Sequence, residues 1–169
     1  MIHIYCGDGK GKTTAAIGLA VRAAGSGRQV VLLQFFKDGN SAEFHALGQL
    51  EHIQVIPQAR SFGFIWTLSP QEKAEARDYY TGLLHRAMAL SAEAGMLVLD
   101  EAMSACSTGT IDEAELLAFL RTVPAELEVV LTGRDPSPAM LEAANYVTEM
   151  RKVKHPFDQG VPARPGIEY

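Results

Sequence analysis

Cys6-Gly7-Asp8-Gly9-Lys10-Gly11-Lys12-Thr13-Thr14 lies between the apolar run Ile2-His3-Ile4-Tyr5 and the small, aliphatic run Ala15-Ala16-Ile17-Gly18-Leu19-Ala20-Val21. A short strand, a glycine loop and a buried helix follow in that order. The arrangement makes an anion site: closely spaced glycines let successive backbone N–H groups turn toward one point, and the helix N-terminus adds partial positive charge. Lys12 then reaches the outer phosphates of a nucleoside triphosphate such as ATP, and the Thr13 hydroxyl is placed for a phosphate-bound Mg²⁺. The general pattern G-x-x-x-x-G-K-[ST] would begin at Cys6, so the match is to its second half, supplemented by Gly7, Gly9 and Lys10. Lys10 is either a second phosphate contact or a solvated loop lysine.

Outward from this loop, Gly25-Ser26-Gly27 stops the first helix, and the apolar stretch Gln29–Phe35 predicts a strand buried on both faces, hence a parallel sheet. Lys37-Asp38-Gly39-Asn40-Ser41 forms a turn, with Ser41 opening a short helix through Leu50, and Ile53–Ile56 is a third strand ended by Pro57. The segment to Ser69 is irregular and aromatic, after which Ser69-Pro70-Gln71-Glu72 is a capping box with proline at the first helical position. The helix it starts is expected to reach Ala94, with Tyr80, Leu84, Ala87, Met88 and Ala94 facing inward. Met96–Leu99 is a strand closing on Asp100-Glu101. After a loop, a helix runs from Asp112 to about Thr122, a strand from Leu127 to Thr132 leads to Gly133-Arg134, and Ser137-Pro138 opens another short helix. Tyr146-Val147-Thr148 is a sixth strand, and the tail from about 151 to 169 is basic, then rich in Pro and Gly.

This alternation specifies an α/β fold: one P-loop NTPase-like domain over residues 1–169, with a mostly parallel sheet of about six strands and helices on both faces. Such sheets take ligand at the carboxyl ends of their strands, where the glycine loop, Asp100-Glu101 and Thr132-Gly133-Arg134 all fall. A length of 169 residues and 47% hydrophobic content suit one sizeable core. Net charge is −5 with scattered basic residues, which argues against a nucleic-acid binder. No apolar run approaches the ~20 residues of a membrane helix, and no leader precedes the first strand, so a cytoplasmic protein is expected. Cys6 and Cys106 are far apart and lack metal-ligand spacing; small-residue packing is expected for both.

Asp100-Glu101 has the form of the acidic element that holds Mg²⁺ directly or through water; sequence leaves open which carboxylate touches the ion, and Glu101 is also a candidate general base. Arg134 is either a clamp on the triphosphate or a surface arginine in a turn. Phe62 reads as core, whereas the loop setting of Phe64 and Trp66 favours contact with a flat ligand or a mobile lid.

With these pieces in order, the chain resembles the P-loop family of ATP:corrinoid adenosyltransferases. The resemblance covers nearly the whole chain: Gly7–Thr14, Gln34-Phe35 with Lys37, Phe64-Ile65-Trp66, Val98–Glu101, Leu131–Arg134, Val147–Met150, Lys154–Phe157 and Gly166–Tyr169. It implies transfer of the 5′-deoxyadenosyl group of ATP to the reduced cobalt of a corrinoid, releasing triphosphate. It also implies that Phe64 and Trp66 press on the lower corrin face, that an external electron donor such as a reduced flavoprotein is needed, and that the protein is a homodimer. In this chain the segment Ala102–Cys106 lacks the asparagine common in the family, Asn145-Tyr146 replaces a common Asp-Leu, and the loop from Lys37 to Glu43 is short. The phosphate loop and Glu101 alone leave a second class, a P-loop ATPase or small-molecule kinase, and the departures after Glu101 leave a third, a non-catalytic corrinoid-binding module.

Overall fold

Apolar runs capped by polar residues become the strands of one sheet in the computed structural model, which describes residues 1–37 and 41–168. The turn expected over 38–40 and the terminal Tyr169 lie outside the described residues. In chain order the elements are β1 (Ile2–Cys6), α1 (Lys12–Gly25), β2 (Val30–Gln34), α2 (Ala42–Leu47), β3 (Ile53–Val55), α3 (Pro70–Ser91), β4 (Met96–Asp100), α4 (Ala102–Ser107), α5 (Glu113–Thr122), β5 (Glu128–Thr132), α6 (Pro138–Ala143) and β6 (Tyr146–Glu149). Among the described residues the strands form a six-stranded sheet of order β3-β2-β4-β5-β1-β6, and every pairing is parallel.

Strand alternation sorts the core into two layers. On one face Val30, Leu32, Met96, Val98 and Val130 meet the alanines of α1, Ala16, Ala20, Ala23 and Ala24. On the other, Val31, Leu33, Leu97, Leu99, Val129 and Leu131 pack with Tyr80 and Leu84 of α3 and Leu116 and Leu120 of α5. Both faces of the central strands are therefore apolar, as a parallel sheet between helical layers requires. Small side chains on α1 bring its axis close to the sheet, which fixes where its N-terminus points.

The capping box forms as expected: the Ser69 hydroxyl accepts from Glu72 N, and the Glu72 carboxylate accepts from Ser69 N at 2.8 Å. Tyr80, Leu84 and Ala87 are fully buried, whereas Met88 and Ala94 are partly buried at the margin of the core. The helix ends at Ser91, short of Ala94, and α2 ends at Leu47 rather than Leu50. One expectation is corrected outright. The loop anticipated between Glu101 and Asp112 contains α4, which buries Ala102, Met103 and Ala105. Glu101 stands at its N-cap in the left-handed region, φ 61, with no side-chain cap bond, so the usual start signals are missing.

Candidate active site

The glycine loop leaves β1 and turns into α1 at Gly11, whose φ of 112 is accessible to glycine at little cost. No side chain among the described residues caps α1, so the amides of its first turn stay directed at the space before it. That space is a cavity of about 440 Å³ walled by Gly9 to Thr14, Ile17, Gln34, Lys37, Ala42, Glu43, Glu101 and the tail residues Gly166, Ile167 and Glu168. The Lys12 ammonium folds back to donate to Gly9 O at 2.8 Å.

Beneath the loop, β2, β4 and β5 lie side by side and end in Gln34, Asp100 and Thr132, all buried. Asp100 is the centre of the group. Its Oδ1 accepts from Thr13 Oγ1 (2.9 Å) and Thr132 Oγ1 (2.5 Å), and its Oδ2 accepts from Gln34 Nε2 (2.6 Å). Burial raises its carboxyl above the usual range, while the bonds from Thr132, Gln34 and Thr13 pull the other way. Thr132 Oγ1 also accepts from Glu101 N at 2.9 Å, and the Glu101 carboxylate accepts from Ser104 Oγ at 2.6 Å. Thr132 thus binds the Glu101 backbone in its left-handed conformation and Ser104 binds its side chain, and Glu101 lines the cavity.

An all-oxygen donor set suits a hard cation. Mg²⁺ is usually held by one or two carboxylates together with phosphate oxygens and water, and Thr13, Asp100 and Glu101 fit that requirement. Among the described residues no group of three or more His, Cys, Asp or Glu forms a cage for a metal.

Gly7, Asp8, Arg134, Phe64 and Trp66 are placed apart from this cavity, whereas Gly9 lines it. Gly7 and Gly9 press against the main chain after β6: a Cβ on Gly7 would sit 2.5 Å from Met150 O, and one on Gly9 would sit 2.6 Å from the same oxygen. Gly7 also has φ +104, so Gly7→Ala combines strain with overlap and is expected to destabilise the fold by roughly 2–4 kcal/mol, read from the urea midpoint. Asp8 is exposed and accepts from Lys152 N at 2.9 Å; that bond, with the nearby Lys152 and Arg134 charges, holds its carboxyl below the ordinary value. Arg134 is exposed and does not line the cavity. Phe64 and Trp66, 65% and 73% exposed, also lie off its wall. Their rings stack on each other at 4.6 Å on either side of buried Ile65, while Phe62 is partly buried beside Tyr79 and Tyr80.

Gln34 and Thr132, named in the sequence without a role of their own, each carry a signal, a polar residue closing an apolar strand. The tail carries no such signal. Arg164 binds Glu168 through its backbone N (2.9 Å), Nε (3.2 Å) and Nη2 (3.0 Å). These bonds hold the Glu168 carboxyl at about 2, against an ordinary 4.5. The pairing is therefore complete above the ordinary value and is lost as pH falls toward the depressed one. Following the Glu168 carboxyl carbon by NMR should give a midpoint at that low value, returning toward the ordinary one in Arg164→Ala.

A glycine loop feeding a helix at the carboxyl edge of an all-parallel sheet, with the strand-end acid bonded to the loop threonine, defines a P-loop NTPase-like protein. Comparison with known proteins narrows that class. The family model described as ATP:corrinoid adenosyltransferase BtuR/CobO/CobP matches residues 1–169. The chain is 33% identical over 169 residues to a corrinoid adenosyltransferase of Pseudomonas aeruginosa, covering 100% of this chain and 83% of that protein. It is 34% identical over 175 residues to corrinoid adenosyltransferases of Escherichia coli and Salmonella typhimurium, covering 100% of this chain and 85% of each relative. The chain belongs to the ATP:corrinoid adenosyltransferase family, a family of transferases.

Proposed function

We propose that this chain transfers the 5′-deoxyadenosyl group of ATP to the reduced cobalt of a corrinoid of the cobalamin, cobinamide or cobyrinic acid diamide type, releasing inorganic triphosphate. The observation that carries the reading is a family match from end to end in a chain whose cavity is walled by the phosphate loop. The electron pair of Co(I) forms the bond to C5′, the C5′–O bond breaks, and its electrons leave with the triphosphate. The nucleophile arrives with the substrate, so no Ser, Cys or His of the chain has to be activated. The two cysteines agree with that: Cys6 is buried with its thiol pushed up by desolvation, and burial pushes Cys106 up to about 12.

Positioning and charge stabilisation then remain for the protein to supply. The amides of Lys10, Gly11, Lys12, Thr13 and Thr14 would cradle the triphosphate, with the Lys12 and Lys10 ammonium groups on its outer oxygens. Thr13, Asp100 and Glu101 would hold Mg²⁺, which offsets negative charge on the leaving group. Gln34 and Thr132 keep Asp100 oriented. Arg134 enters only as a contact from outside the cavity wall. Phe64 and Trp66 would lie against the lower corrin face and exclude an axial base or water, because four-coordinate cobalt is easier to reduce. Reduction of Co(II) by one electron would come from an external donor such as a reduced flavoprotein. A homodimer of single-domain chains spanning 1–169, acting in the cytoplasm, completes the proposal; no helix among the described residues is long and apolar enough to cross a membrane.

Incubation with ATP, Mg²⁺ and chemically reduced corrinoid should yield the light-sensitive adenosylated corrinoid and triphosphate in equal amounts. ADP and phosphate in their place would overturn the reading in favour of phosphoryl transfer or hydrolysis.

A further inference from the structure

The first half of the glycine loop is hydrogen-bonded to the main chain that follows β6. Met150 N donates to Cys6 O at 2.8 Å, Gly9 N donates to Met150 O at 2.7 Å, and Lys152 N donates to Asp8 Oδ1 at 2.9 Å. Gly7 and Gly9 leave no room for a Cβ against Met150, whose sulfur also lies 3.6 Å from where a Cβ of Gly11 would be. Lys152 Nζ pairs with Asp158 Oδ1 at 2.9 Å, tying the same segment to the 3-10 turn Pro156–Gln159. The Gly9 amide is thus committed to a carbonyl and the Asp8 carboxylate to a backbone donor. Neither is directed at a ligand in this arrangement.

A loop that presents several amides to one point works only if its path is held, since misplacement on the order of 1 Å can cost about 10²-fold in rate. We propose that residues 149–152 are a strap that sets the aim of the phosphate loop, and that Asp8 is a positioning residue acting through the Lys152 N–H rather than a contact to phosphate or metal. This rests on the reading of the cavity as a polyphosphate site. It predicts that the requirement at position 8 is for an acceptor atom, not for charge, and that the requirement at position 152 is for a backbone N–H, not for an ammonium group.

Titration calorimetry of the full-length protein with MgATP, and separately with inorganic triphosphate, well below the unfolding transition, separates these possibilities. Asp8→Ala removes the acceptor and Lys152→Pro removes the donor, so each should weaken both ligands about 10-fold. Asp8→Asn keeps an acceptor and Lys152→Ala keeps the N–H, so both should bind as wild type does. The double variant Asp8→Ala/Lys152→Pro should be no weaker than either single, because one bond is shared. Asp8→Asn as weak as Asp8→Ala would overturn the proposal by showing that charge is what matters, and so would unchanged binding by Asp8→Ala. If proline at 152 prevents folding, the Asp8 pair decides alone. Wild type that binds ATP without forming adenosylcorrinoid would defeat the transfer reading and leave the strap standing. Wild type that binds neither ligand would defeat both.

Discussion

Lys12→Ala is expected to lower adenosyl transfer by on the order of 10³-fold while leaving the unfolding midpoint close to wild type. Among the described residues the ammonium group bonds to Gly9 O at 2.8 Å on the cavity wall, so its removal opens no core and gives up one hydrogen bond. During transfer, negative charge gathers on the triphosphate as the C5′–O bond stretches, and a fixed cation beside it is worth more then than in the ground state. Loss should therefore appear mainly in the rate at saturating ATP, measured by triphosphate release. A variant that retains more than a tenth of wild-type turnover would remove Lys12 from the proposed role.

Trp66→Ala should give the opposite signature. The side chain is 73% exposed and lies off the cavity wall, so MgATP affinity and stability should stay near wild type. With chemically reduced Co(I) corrinoid the rate should fall only about a few-fold, because the nucleophile is already formed. Starting from Co(II) and an electron donor, the loss should reach on the order of 10²-fold, since the flat ring proposed to exclude the lower axial ligand is gone. Equal losses from both starting states would mean that Trp66 positions the corrinoid without assisting its reduction.

Much of this molecule is legible from local pattern. Val30–Gln34 and Met96–Asp100 read as doubly buried strands because Val, Leu and Met fill both faces, and the Ser69–Glu72 capping box announced α3. The acid at the end of β4 and the loop threonine were both visible, and their 2.9 Å bond follows from the topology that sets β4 beside the loop. What escaped has physical reasons. α4 starts at a left-handed Glu101, held by Thr132 from the next strand, so its start signal is tertiary. Gly7 and Gly9 read in the sequence as letting backbone N–H groups turn toward one anion, yet the space where their side chains would be is taken by Met150; a glycine in sequence does not say what approaches it. The return of Gly166–Glu168 to the cavity wall links the two ends of the chain, and nothing within a short window encodes it.

Ile65 is 9% exposed while the rings on either side of it project into solvent, so the aromatic pair is mounted on one pivot. Ile56 behind it, 1% exposed, and the capped start of α3 ahead of it hold the two ends of the span, while Ala59, Arg60 and Phe62 bind Tyr79 and Glu75 of α3 in between. Under the proposed function, the two rings that would meet the acceptor are therefore carried on an anchored span. Replacing the exposed rings is then expected to alter the choice of corrinoid without disturbing the scaffold that would hold the nucleotide.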